Sequence, residues 1–193
     1  MSRIITVHGA FTKDGTSELW QRLLKPLLKE KYDWTDFKYG LVGFWNSVSR
    51  SRSAGEDLAR EANQDDTIIA FSNGGLVVWE ALEAGANFNK AILIQPALTK
   101  NAEFGPGVDK IFITYNSSDY IVYLSRLWSM PLNYLLDRKN SWGAMGHYGY
   151  EGPGDQRIFQ IDQQQECGSI GHFGWRKNDL DCWKEKIYQL TKV

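Results

Sequence analysis

The stretch Asp66-Thr-Ile-Ile-Ala-Phe-Ser-Asn-Gly-Gly-Leu-Val-Val-Trp-Glu-Ala-Leu82 decides the fold. It opens on Thr67, Ile68 and Ile69, a β-branched run of the kind that forms a buried strand. It closes on Leu76, Val77, Trp79, Ala81 and Leu82, which suit a buried helix. Between them stands Ser72, with Ala70 two residues before it and Gly74 two after. A serine held on a very sharp strand-to-helix turn needs small neighbours there, because the backbone crowds itself and larger side chains clash. Such a turn lifts the hydroxyl out of the sheet. It also aims the following N–H groups and the helix N-terminus at whatever the serine attacks. This is the pattern of a nucleophile elbow. Taken alone, the same residues also describe a plain strand–turn–helix in which Ser72 caps the helix before a glycine pair. The rest of the chain separates the two readings.

Upstream, Arg3–Val7 reads as a buried strand with His8-Gly9-Ala10-Phe11 at its carboxyl end, where open α/β sheets bind ligands. Gly9 lets the backbone approach a cleft, so the N–H of Ala10 or Phe11 can point into it. His8 suits a structural role in that loop better than proton transfer. Ser17 to Lys29 has helical spacing, with Ser17 as cap and Pro26 as a kink or turn. Trp34–Tyr39 is a weaker strand, residues 40–52 read as a loop with Phe44 and Trp45 as cleft walls, and Ala54–Ala62 is helical.

Downstream come strands at Ala91–Ile94, Lys110–Tyr115 and Arg157–Ile161, a partly helical stretch over 120–135, and a Gly- and aromatic-rich loop over 142–154. Asp179–Leu190 closes the chain as an amphipathic helix, with Leu180, Trp183, Ile187 and Leu190 facing inward. Roughly six strands alternating with helices predict an α/β fold: an open, mostly parallel sheet with helices on both faces. A chain of 193 residues without repeats or linkers reads as one domain, 1–193.

A net charge of −1 argues against a nucleic-acid or polybasic membrane surface. No leader-like start or long apolar run is present, so the expectation is a cytoplasmic protein without a membrane span. Cys167 and Cys182 lack metal-ligand spacing, and in a reducing compartment the default expectation is two free thiols, with a disulfide between them as the lesser alternative.

A serine hydroxyl needs a base, and the base needs a partner that fixes its tautomer. A parallel sheet can supply both from the carboxyl ends of later strands. Here Asp119 follows one strand and His172 follows the last. Asp119 also suits a helix cap, and Asp109 and Asp137 are rivals that follow no clear strand. His147 competes with His172, but only His172 lies between the last strand and the terminal helix. A dinucleotide or nucleotide site is disfavoured, since neither Gly-x-Gly-x-x-Gly nor a Gly-Lys-Ser/Thr loop occurs.

The order Ser72…Asp119…His172, with His8-Gly9 and Ala70-Phe71-Ser72-Asn73-Gly74, resembles the α/β-hydrolase fold family, in particular its small members without a large cap. The resemblance runs over nearly the whole chain. It departs from the family at Ala70, where glycine is commonest, and in lacking the first two antiparallel strands. It implies Ser72 as nucleophile, His172 as general base and acid, and Asp119 as its orienting partner. The oxyanion hole would be the N–H of Asn73 with that of Ala10 or Phe11.

The implied activity is serine hydrolysis of a small-molecule carboxylic ester or thioester, with no metal or organic cofactor. An amidase or peptidase shares this chemistry, and a non-catalytic binding protein shares the fold. Trp45, Tyr120, Trp142 and His147 are the candidate substrate contacts. Residues 120–154 are the one stretch long enough for a small lid.

Overall fold

Side chains on a strand alternate between faces, and a sheet covered on both faces must therefore be apolar at consecutive positions. Strand β3 (Thr67–Phe71) is buried at all five residues and apolar at the last four. Ile68 and Ala70 join one core, and Ile69 and Phe71 the other. The computed structural model describes residues 2–10, 19–40, 47–124, 142–168, 171–172 and 180–193. Around β3 it assembles β1 (Arg3–Val7), β2 (Asp33–Phe37), β4 (Phe88–Ile94), β5 (Val108–Tyr115) and β6 (Ile158–Asp162). The six form one sheet in the order β2-β1-β3-β4-β5-β6, and every neighbouring pair is parallel.

Parallel neighbours require crossovers, and the helices that make them cover both faces. On one face α2 (Ser47–Glu61) contributes Ala54 and Leu58, and α3 (Gly74–Glu83) contributes Leu76, Val77, Trp79 and Leu82. On the other, α1 (Leu19–Leu28) supplies Leu24 and Leu28, and the terminal α6 (Leu180–Lys192) supplies Trp183, Ile187 and Leu190. Two short helices are α4 (Met145–Tyr148) and α5 (Gln163–Cys167), and a further helix opens at Tyr120. Strand β1 lies between β2 and β3, so the strand order reverses there. The carboxyl ends of β1 and β3 flank that switch point, the place where an open α/β sheet takes its ligands.

Some local expectations change. Helix α2 begins at Ser47, so the described end of the expected 40–52 loop is helical. Its Ser- and Arg-rich first half has weak helix propensity, and packing on α3 overrides it: a Cβ added to Gly55 would lie 2.5 Å from Glu80 Cβ. The polar stretch after β6 winds into α5, because the Asp162 carboxylate accepts from the N–H groups of Gln164 and Gln165. The 142–154 loop contains the single turn of α4. The expectations at Phe11, Ser17, Phe44, Trp45 and Asp137, and residues 125–141 of the expected 120–154 lid, fall outside the described residues.

The cysteines are corrected outright. Cys167 and Cys182 form a disulfide, with Cα atoms 5.8 Å apart, and are not free thiols. A separation of 15 residues says nothing about distance until α5 and α6 are in place. The bond closes the loop that carries His172. At the far end of α6, buried Lys90 donates to the carbonyls of Leu190 (3.0 Å) and Thr191 (3.1 Å). Burial first, and then Lys110, pull the Lys90 ammonium pKa below the ordinary lysine value. The helix after His172 is thus held at both ends. Replacing both cysteines by serine is expected to lower stability by about 3 kcal/mol, the magnitude for a loop of this size, read as the shift of a urea transition.

Candidate active site

The turn after β3 has the strain that the flanking small residues imply. Ser72 is one of two non-glycine residues among those described with positive φ, at 52°. Its N–H donates to Ile94 O (2.9 Å), and its carbonyl accepts from Gly75 (3.0 Å) and Ala97 (2.9 Å). Asn73, not Ser72, occupies the helix cap position, which excludes the plain-cap reading. Gly74 has no room for a side chain, since a Cβ there would lie 2.5 Å from Val7 O and 2.9 Å from His8 O. Gly74→Ala must therefore push the elbow off β1. A loss of about 1–3 kcal/mol is expected, as for overpacking elsewhere, measured by denaturant unfolding.

The pair of Asp119 and His172 is assembled from two strand ends. Asp119, fully buried, follows β5, and His172, 6% exposed, lies beyond β6 and α5. His172 Nδ1 lies 2.7 Å from Asp119 Oδ2. A carboxylate only accepts, so Nδ1 carries the proton and Nε2 is the basic nitrogen of the neutral ring. The other carboxylate oxygen, Oδ1, accepts from the Val122 N–H at 3.0 Å and so caps the helix that opens at Tyr120. Both readings of Asp119 therefore hold, one on each oxygen.

The ring of His172 also packs on Phe71, next to Ser72, with centroids 4.9 Å apart. Gln95, itself at φ 45°, donates from Nε2 to Gly171 O at 3.1 Å. His147 makes no such pair. Its ring sits among Tyr120, Tyr123 and Tyr148, at centroid distances of 6.2, 5.2 and 4.4 Å.

Of the remaining candidates, Ala10 lies in the turn after β1, whose last register pair, Val7 with Ala70, brings it alongside the elbow. Among the described residues no backbone carbonyl receives the Asn73 N–H. His8 is fully buried, with Nδ1 2.8 Å from Gly9 O and its ring stacked on Tyr39, which is the structural role expected of it. Tyr120 is exposed beside Asp119. Trp142 is buried, and its indole N–H donates to Asn73 Oδ1, so its observed contact is with the elbow. Sequence reasoning missed Tyr39, Ser51 and Gln95. The one hint was polar side chains in segments that end at buried strands. Among the described residues no group of three or more His, Cys, Asp or Glu could hold a metal ion, and no helix is long and apolar enough to cross a membrane.

No protein-family model and no curated protein matches the sequence. Solved structures do match the fold. Mouse alpha/beta hydrolase domain-containing protein 10 superposes with a TM-score of 0.62 at 13% identity, covering 98% of this chain and 89% of that one. The ydeN gene product of B. subtilis gives 0.56 at 11% identity, over 100% of both chains. A cutinase-like protein from Cryptococcus sp. gives 0.52 at 12% identity, over 99% and 93%. At these identities the likeness is one of architecture, and it agrees with the open, six-stranded parallel sheet flanked by helices. The chain has the α/β-hydrolase fold.

Proposed function

We propose that this protein is a serine hydrolase acting on small carboxylic esters or thioesters through an acyl-enzyme. Ser72 Oγ attacks the acyl carbon while His172 Nε2 takes its proton. The bond to the leaving alcohol or thiol breaks, and His172 returns the proton to it. Water then attacks the acyl-serine, again deprotonated by His172, and the acid departs as Ser72 regains its proton. Asp119 holds the imidazole in the Nδ1–H tautomer and stabilises its positive charge. The N–H groups of Asn73 and of Ala10 or Phe11 receive the developing oxyanion.

The observation that carries this reading is the 2.7 Å bond between buried Asp119 and His172 Nδ1, on a ring packed against the residue before a strained serine. An apolar acyl or aryl group is favoured by the exposed Tyr120, Ile121 and Leu124 that follow Asp119, and by exposed Tyr148 against Tyr123. No cofactor enters the mechanism. For the compartment, the Cys167–Cys182 disulfide weighs against a cytoplasmic setting, since such bonds persist mainly where conditions are oxidising.

The test is a fluorophosphonate followed by intact mass, then hydrolysis of aryl esters, thioesters and anilides of graded acyl length. One adduct per chain, mapped to Ser72, with esters cleaved faster than anilides, is expected. A folded protein that takes up no phosphonate and cleaves none of these substrates is a binding protein on a hydrolase scaffold.

A further inference from the structure

The chemistry proposed above uses the backbone N–H of Asn73 and leaves its side chain unexplained. That side chain is fully buried, and three separate segments hold it. Nδ2 donates to Tyr39 Oη (3.2 Å), just beyond β2, and to Ser51 Oγ (3.1 Å) on α2. Oδ1 accepts from the indole N–H of Trp142, which precedes α4. Tyr39 in turn donates its hydroxyl proton to His8 O at 2.7 Å. Its ring stacks on His8 with centroids 4.2 Å apart and planes 8° apart. A continuous path of two hydrogen bonds therefore runs from the residue after Ser72 to the loop that carries Ala10.

The need for such a path follows from the sheet. Strands β1 and β3 are paired only as far as Val7 and Ala70. Beyond that point the elbow turns into α3 and the His8-Gly9-Ala10 segment leaves the ladder, so backbone pairing no longer sets their separation. The two halves of the oxyanion hole lie on these diverging segments. Only a carboxamide suits the bridging position. An aspartate would have no proton to give Tyr39 Oη, whose own proton goes to His8 O, and a leucine would offer the Trp142 N–H no acceptor.

We propose that the Asn73 carboxamide and the Tyr39 hydroxyl are positioning groups that fix the gap between the two oxyanion-hole donors. This rests on the reading of Ser72 as nucleophile. A donor moved by about 1 Å loses much of its effect on the transition state, where the cost can reach about a hundredfold.

The experiment compares wild type, Tyr39→Phe, Asn73→Ala and the double variant. Each is measured on an aryl ester and on its thionoester, in which sulfur, larger and a weaker acceptor, replaces the carbonyl oxygen. Tyr39→Phe keeps the ring that stacks on His8 and removes only the hydroxyl. Its kcat on the ester is expected to fall about tenfold with KM changed less than about twofold, and its preference for ester over thionoester to fall in step. The double variant is expected to be no slower than Asn73→Ala, because both changes cut one path.

A general loosening of the fold would slow both substrates alike, so a lower rate with unchanged preference overturns the inference. So does a Tyr39→Phe protein with wild-type rates. If Asn73→Ala does not fold, Tyr39→Phe decides the matter alone. Wild type that neither reacts with fluorophosphonate nor hydrolyses the ester refutes the Ser72 reading itself, and the brace with it.

Discussion

Ser72→Ala is expected to take up no fluorophosphonate and to lose ester turnover by roughly 10⁴–10⁶-fold, the range seen when such a nucleophile is removed. The loss should come almost without unfolding. The hydrogen bonds that define the turn use the Ser72 backbone, through its N–H to Ile94 and its carbonyl to Gly75 and Ala97, and alanine keeps all three. Alanine at φ 52° is strained as serine is, so the cost of that conformation is already present in the parent. A urea midpoint within about 0.5 kcal/mol of wild type, the usual span for a harmless substitution, is therefore predicted alongside the dead site. Residual labelling in Ser72→Ala would mean that another nucleophile had been tagged.

Asp119→Asn is the second large effect, at about 10⁴-fold in kcat. The substitution barely changes shape, and the carboxamide oxygen can still accept from the Val122 N–H that Asp119 Oδ1 now takes at 3.0 Å. The amide NH₂ then faces His172 Nδ1, where Oδ2 now accepts at 2.7 Å. Two donors cannot share that contact, so the ring moves its proton to Nε2, and the basic nitrogen no longer faces the reaction. His172→Ala should match this loss, whereas His147→Ala, whose ring lies among tyrosines, should leave turnover within about threefold. Both are measured as kcat on one ester and as phosphonylation rate. Labelling that survives His172→Ala but not His147→Ala would transfer the base to His147.

What was legible in the sequence is what local sterics and periodicity dictate. Ala70 and Gly74 around Ser72 are small because β1 passes within 2.5 Å of where a Gly74 Cβ would stand, and that demand is written within five residues. Continuous apolar runs such as Thr67–Phe71 announce strands buried on both faces. The order of Ser72, Asp119 and His172 could be read because each follows a strand. What could not be read depends on contacts between distant segments. Helix α2 packs closely on α3 through Gly55, a contact that the polar run Ser-Val-Ser-Arg-Ser-Arg-Ser does not announce. The disulfide exists because α5 and α6 bring Cys167 and Cys182 together. Asn73 finds Tyr39, Ser51 and Trp142 at separations of 34, 22 and 69 residues, a pattern with no period and no motif.

The strand order has a consequence for the order of birth of the site. After β2 pairs with β1, β3 adds to the other edge of β1, and each later strand adds to the edge left by the one before, through to β6. A ribosome that delivers the chain from its N-terminus can extend this sheet outward without reopening any finished pair. The serine turn and the loop after β1 are laid down first, the aspartate three strands into that extension, and the histidine last of all. On the proposed reading of the site, the nucleophile therefore stands in its folded turn before its base has been made, and the site becomes reactive only when the segment carrying His172 has docked on Asp119.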